Sequence, residues 1–134
     1  MNNATLPLRK VLIVEDEKVM MILVTRLFTR GEFGVELLTA TTIREGVDLV
    51  DKYEFALLVT DMSLPDGRGI DVIRRFREKF PEAPIIVMSG SLTIQAEVDA
   101  ISGARVSGVL QKPFTVDDFH NAVATALQTP TRGS

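Results

Sequence analysis

Short, uninterrupted apolar runs alternate along the chain with longer segments whose apolar residues recur every three or four positions. Val11-Leu12-Ile13-Val14, Phe55-Ala56-Leu57-Leu58-Val59 and Ile85-Ile86-Val87-Met88 are such runs. A strand covered on both faces by helices needs apolar residues at every position rather than at alternate ones, so each run predicts a buried parallel strand. Val35 to Ala40 is more polar and predicts an edge strand, and Val109-Leu110, after Gly108, predicts a short fifth strand. Helical segments are expected between them, at about 18–30, 42–52, 67–79, 93–102 and 116–128. In the last of these, Val116, Phe119, Val123 and Leu127 form one buried stripe. Thr115 precedes that helix with Asp118 three residues on, a pairing that resembles a capping box. Pro81 and Pro84 punctuate the approach to the fourth strand, while Pro65, Gly67 and Gly69 mark the loop after the third. Strands and helices alternating at this length predict an α/β fold with a five-stranded parallel sheet, doubly wound, with helices on both faces.

At 134 residues the chain is the size of one domain, expected over 9–128, with a lead-in at 1–8 and a tail at 129–134. The formal net charge of -3 shows no basic surplus, so no nucleic-acid surface is expected. Cysteine is absent, which removes disulfides, thiolate metal sites and thiol nucleophiles. The longest helical apolar run, Val19 to Val24, is far short of a membrane span, and Met1 to Leu8 lacks the apolar stretch of a secretory signal. A cytoplasmic protein without membrane contact is the expectation.

The candidate chemistry collects at strand ends. The first strand ends in Glu15-Asp16, the third in Asp61, the fourth in Ser89 and the fifth in Lys112. In open α/β sheets ligands bind beyond the carboxyl ends of the strands, so residues far apart in sequence should meet in one crevice. Three carboxylates repel one another unless a cation lies among them. Their oxygen ligands suit a hard cation such as Mg²⁺ rather than zinc. A lysine and a hydroxyl alongside would cradle an anion with several oxygens. Anion, Mg²⁺ and carboxylate nucleophile together indicate phosphoryl transfer to an aspartate.

The segments Val11-Leu12-Ile13-Val14-Glu15-Asp16-Glu17, Thr60-Asp61-Met62-Ser63-Leu64-Pro65-Asp66-Gly67, Ile85-Ile86-Val87-Met88-Ser89-Gly90 and Gln111-Lys112-Pro113-Phe114 resemble, in this order, the receiver domain of two-component response regulators. Each is weak alone; together at strand ends they are specific. The resemblance covers about residues 9–128 and implies a flavodoxin-like sheet of strand order 2-1-3-4-5. It implies Asp61 as phosphoryl acceptor and Asp16 as direct Mg²⁺ ligand, with Glu15 assisting through water and Ser63 lending its backbone carbonyl. It also implies Ser89 as the hydroxyl that moves onto the phosphoryl group, Lys112 as its cationic partner, and a cis bond before Pro113. The implied partners are a histidine kinase or histidine phosphotransfer protein and a downstream protein target. The implied role is a signalling switch that catalyses only its own phosphorylation and dephosphorylation.

Plainer readings exist for each residue alone. Asp16 would serve as a helix N-cap, Asp61 as a turn residue, Ser89-Gly90-Ser91 as any loop and Lys112 as a solvated charge. His120, the only histidine, lies mid-helix and reads as a surface residue. Gly67-Arg68-Gly69 lacks nucleotide-fingerprint spacing. The rival from another class is a phosphohydrolase of the haloacid dehalogenase type, which needs a second acid two residues after its nucleophile; that position holds Ser63. A flavin-binding module is disfavoured by the single tyrosine, Tyr53, and the lack of tryptophan.

Three features depart from the receiver pattern. Val109 stands where an aromatic ring is usual. The path from Gly103 to Lys112 is about two residues longer than usual, which predicts an irregular exit from the fourth helix. No output domain is expected after the tail at 129–134, and the initiator-like Met1 favours the expectation of a stand-alone regulator over a receiver cut from a hybrid kinase. In the first helix Val19, Met20, Met21, Leu23, Val24, Leu27 and Phe28 span a wider arc than one sheet contact needs. Neighbouring helices would cover the margins of that arc, or it forms a docking margin for the histidine-bearing partner, centred on Met20, Met21 and Val24; the two readings are compatible.

Overall fold

A computed structural model describes residues 8–91 and 105–128. The elements are β1 (Arg9–Val14), α1 (Lys18–Arg30), β2 (Val35–Ala40), α2 (Ile43–Lys52), β3 (Leu57–Asp61), β4 (Ser63–Leu64), β5 (Gly67–Arg68), α3 (Ile70–Lys79), β6 (Ile85–Ser89), β7 (Gly108–Gln111) and α4 (Val116–Gln128). Five strands form one parallel sheet in the order β2-β1-β3-β6-β7, which is the expected 2-1-3-4-5 order when the main strands are counted alone. The helix expected at 93–102 lies outside the described residues.

The continuous apolar runs are buried as their pattern requires: Val11–Val14, Leu57–Val59 and Ile85–Met88 are all fully inaccessible. Alternate residues of each strand enter opposite layers, because side chains on a strand point to opposite faces. Leu12, Val14, Leu58, Ile85 and Val87 pack with Val50, Val72, Ile73 and Phe76 of α2 and α3. Val11, Ile13, Leu57, Val59, Ile86 and Met88 pack on the other side with Val24 and Phe28 of α1 and Phe119, Val123 and Leu127 of α4. Phe119 sits edge-on to Phe28 at 5.3 Å and stacks near Phe114 at 5.8 Å between centroids, joining α1 to α4.

The helix ends follow local chemistry. The Thr115 hydroxyl accepts from the Asp118 amide at 2.9 Å and the Asp118 carboxylate accepts from the Thr115 amide at 3.3 Å, the reciprocal box expected at the start of α4. The third strand is displaced from its expected run: Phe55 is buried, but the ladder starts at Leu57 and continues through Thr60 to Asp61. Expected helix 67–79 also starts late. Residues 67–68 instead pair with 63–64 as a two-stranded hairpin, and α3 begins at Ile70. The Pro65-Asp66-Gly67 turn explains this, since Gly67 takes a φ of 144°, open to glycine and strained for other residues. The expected irregular exit from the fourth helix lies mostly outside the described residues; within them, Arg105 before β7 is a non-glycine residue with φ 53°.

Candidate functional site

The strand order places the site. From β1 the chain crosses to β2 on one side of the sheet, and β3 lies on the other, so the carboxyl ends of β1 and β3 border the crevice where connections diverge. Glu15 continues β1: its amide bonds Ala40 O at 3.0 Å, and its side chain is fully buried. Asp16 follows it and is exposed. Asp61 is the last residue of β3 and is 7% exposed. Ser89 ends β6, one residue beyond Met88, the register partner of Asp61. Lys112 follows β7, its amide bonded to Ser89 O at 2.7 Å, with a cis bond to Pro113.

The side chains converge. Lys112 Nζ lies 3.0 Å from Glu15 Oε1 and 3.0 Å from Asp61 Oδ2. Its side chain is only 17% exposed, so it is not the solvated charge that the residue alone would predict. Glu15 Oε2 accepts the Glu17 amide at 3.0 Å, which engages both oxygens of the buried carboxylate. Carboxylate oxygens of Glu15, Asp16 and Asp61 all lie within 4.8 Å of one another. Three carboxylates and one ammonium leave two formal negative charges (−3 + 1), which a divalent cation would balance. Of the three acids, Asp16 is the one left open to solvent.

The electrostatics follow from this packing. Burial pushes the Glu15 carboxyl upward; the Glu17 amide and Lys112 oppose it only in part, and it stays above its ordinary value. Burial pulls the Lys112 ammonium down, but hydrogen bonds and attraction from Asp61 and Glu15 outweigh it. The ammonium is therefore held above its usual range and stays charged.

Ser63 is exposed, and its amide donates to Asp61 Oδ1 at 3.3 Å, so it stands directly beside the Asp61 carboxylate. The Ser89 hydroxyl oxygen accepts the Ser91 amide at 3.0 Å, in a position 5% exposed. Thus all six site residues expected from the sequence lie at the same end of the sheet, with Glu15, Asp16, Asp61 and Lys112 in one tight cluster. His120 is exposed on α4, its ring 5.1 Å from that of Phe33 and on none of these groups.

Two supports escaped sequence reading. Gly69 closes the hairpin with its amide on Met62 O at 2.8 Å, and a Cβ there would fall 2.2 Å from the carbonyl oxygen of Asp61. Only glycine allows the chain to pass so close behind Asp61. Asp66, at the hairpin turn, bonds two amides of α2. The Pro65-Asp66-Gly67 triplet is the signal that could have revealed this turn.

The chain matches the family model of the response regulator receiver domain over residues 11–124. The cell cycle transcriptional regulator CtrA of Caulobacter vibrioides is 34% identical over 110 residues, covering 82% of this chain and 46% of that protein. The response regulator protein PilR of Pseudomonas aeruginosa is 29% identical over 120 residues, covering 90% of this chain and 26% of the relative. The chain therefore spans less than half the length of these curated relatives. Among solved structures, the signal receiver domain of an HD domain-containing protein from Pseudomonas fluorescens superposes with a TM-score of 0.80 at 21% identity, over 96% of this chain and 93% of that one. A response regulator receiver domain protein from Clostridium thermocellum gives 0.77 at 25% identity, over 90% and 94%. With the family model spanning most of its length and the same sheet beneath its acidic crevice, this chain belongs to the response regulator receiver domains.

Proposed function

We propose that the domain accepts a phosphoryl group on Asp61 from a phosphohistidine of a histidine kinase or phosphotransfer protein, and that the modified form switches binding to a downstream protein. The observation that carries this reading is the Asp61 carboxylate at the carboxyl end of the central strand, bonded to Lys112 and within metal-sharing distance of Glu15 and Asp16. An Asp61 oxygen attacks phosphorus as the P–N bond breaks, and the bonding pair returns to the donor imidazole. Lys112, released in part from the carboxylates, pairs with phosphoryl oxygens. The Ser89 hydroxyl, at the neighbouring strand end, turns to meet them.

Mg²⁺ is the proposed metal, because the donors are all oxygen. It would be held by Asp16, Asp61 and the Ser63 carbonyl, and when bound it supplies charge neutralisation of the transferred group. Glu15 is engaged by Lys112 and the Glu17 amide, which fits an outer role. The domain acts as a signalling switch rather than as an enzyme on other substrates. A phosphohydrolase reading gains no support, since Ser63 occupies the place of the second acid.

The test is intact mass after incubation with acetyl phosphate and Mg²⁺. The wild type gains one phosphoryl group and Asp61→Asn gains none. Labelling of the variant to the wild-type level would refute Asp61 as acceptor.

A further inference from the structure

The hairpin that follows Asp61 is short and mostly exposed. Its strands are two residues each, and pairs that short are marginal by themselves. Ser63, Pro65, Asp66, Gly67 and Arg68 are exposed, and only Leu64 is partly buried against the core. Yet its turn is fastened to another element. Asp66 Oδ1 accepts the Ile43 amide at 2.8 Å and Oδ2 accepts the Arg44 amide at 3.1 Å, across more than twenty residues of sequence.

Those amides belong to the first turn of α2, which has its own cap. Thr42 accepts the Glu45 amide at 3.1 Å, and Glu45 reaches back to the Thr41 amide at 2.8 Å. The local cap therefore leaves the Ile43 and Arg44 amides free of it, and Asp66 takes both. A carboxylate suits this position, since the first amides of a helix present partial positive charge and bonds to an ionised acceptor are the stronger kind. Hydrogen bonding from Ile43, the largest influence, holds the Asp66 carboxyl below its ordinary value, so the clamp is charged near neutral pH. The same turn rests on Ile43, whose Cδ1 would lie 3.0 Å from a Cβ at Gly67.

The geometry points to Asp66 as a positioning residue for the phosphoryl site: by bridging two α2 amides it pins the hairpin that carries Ser63 beside Asp61. This rests on the proposed role of the Ser63 carbonyl as a metal ligand. A bare helix cap would serve α2 alone. A clamp transmits its loss to the other end of the hairpin, where Ser63 bonds Asp61 and Gly69 bonds Met62.

Amide–solvent exchange, measured by NMR on metal-free protein, separates these roles in wild type, Asp66→Ala and Asp66→Asn, at a temperature where thermal melts show all three folded. Asp66→Ala is expected to speed exchange at Ile43 and Arg44 and also at Ser63 and Gly69. Asp66→Asn, which keeps one acceptor oxygen, should lie between and serves if the alanine variant does not fold. In Mg²⁺ titrations of the same proteins, the dissociation constant should rise about fivefold for Asp66→Ala, below the tenfold or more typical of groups bonded directly to a metal ligand. Faster exchange at Ile43 and Arg44 alone, with Ser63, Gly69 and Mg²⁺ affinity unchanged, would make Asp66 a helix cap and overturn the proposal. A wild type that binds no Mg²⁺ would instead overturn the reading of the site, and the metal part of this proposal with it, whatever the exchange rates show.

Discussion

Glu15 and Asp16 are neighbours in sequence with opposite environments, one fully buried and one exposed. In the proposed site that difference separates the roles assigned to them. Glu15 spends its oxygens on Lys112 and the Glu17 amide, while Asp16 can turn toward a cation at little cost. Asp16→Ala is expected to weaken Mg²⁺ binding by about a hundredfold, and Glu15→Gln by about tenfold, as loss of an outer-shell partner does. Titration calorimetry checks the ranking; equal affinities in the two variants and the wild type would contradict it. Glu15-Asp16, Asp61, Ser89 and Lys112 were legible from sequence because they follow apolar runs, and Ser63 only through the resemblance. The burial of Glu15 and the double pairing of Lys112 were not. They depend on which strands are neighbours and how far a flexible side chain reaches.

Among the elements, α1 shows where periodicity stops short. Its sequence gives a wide apolar arc but not which edge meets the sheet. Val24, expected at the docking margin, is fully buried in the core, so it leaves that surface. Met20 and Met21 are half-buried against the same layer. The open apolar residues are Val19, at 75% exposure, Ile22 and Leu23. Because α1 starts directly after Glu15-Asp16-Glu17, its first turn lies beside the crevice where the proposed donor histidine would approach. Ile22→Glu is therefore expected to slow transfer from a histidine-bearing partner about tenfold, or about 1.4 kcal/mol. Labelling by acetyl phosphate, which needs no docking surface, should stay within about twofold in the same folded variant. Equal losses with both donors would place the damage in the site, and no loss with either would remove Ile22 from the contact. The β4–β5 hairpin was hidden for a different reason. Two-residue strands carry no periodicity, and turn residues alone do not say that the flanking residues pair. The start of α3 moved from residue 67 to Ile70 for that reason.

At the scale of the whole molecule, the parallel sheet was legible because its strands are buried on both faces and carry unbroken apolar runs. The strand order gathers Glu15, Asp16, Asp61, Ser89 and Lys112 from four separate strand ends. The phosphoryl reading depends on that convergence, and on Asp61 rather than its acidic neighbours carrying the bond. Borohydride trapping tests this most directly, since it reduces an aspartyl phosphate to homoserine at the residue that held it. After treatment with acetyl phosphate and Mg²⁺, digestion and peptide mass analysis should find homoserine at position 61, no homoserine at position 16, and none of the 2-amino-5-hydroxypentanoic acid that a glutamyl phosphate would leave at position 15. Homoserine at another residue, or none at all in protein whose intact mass shows the added phosphoryl group, would contradict the account.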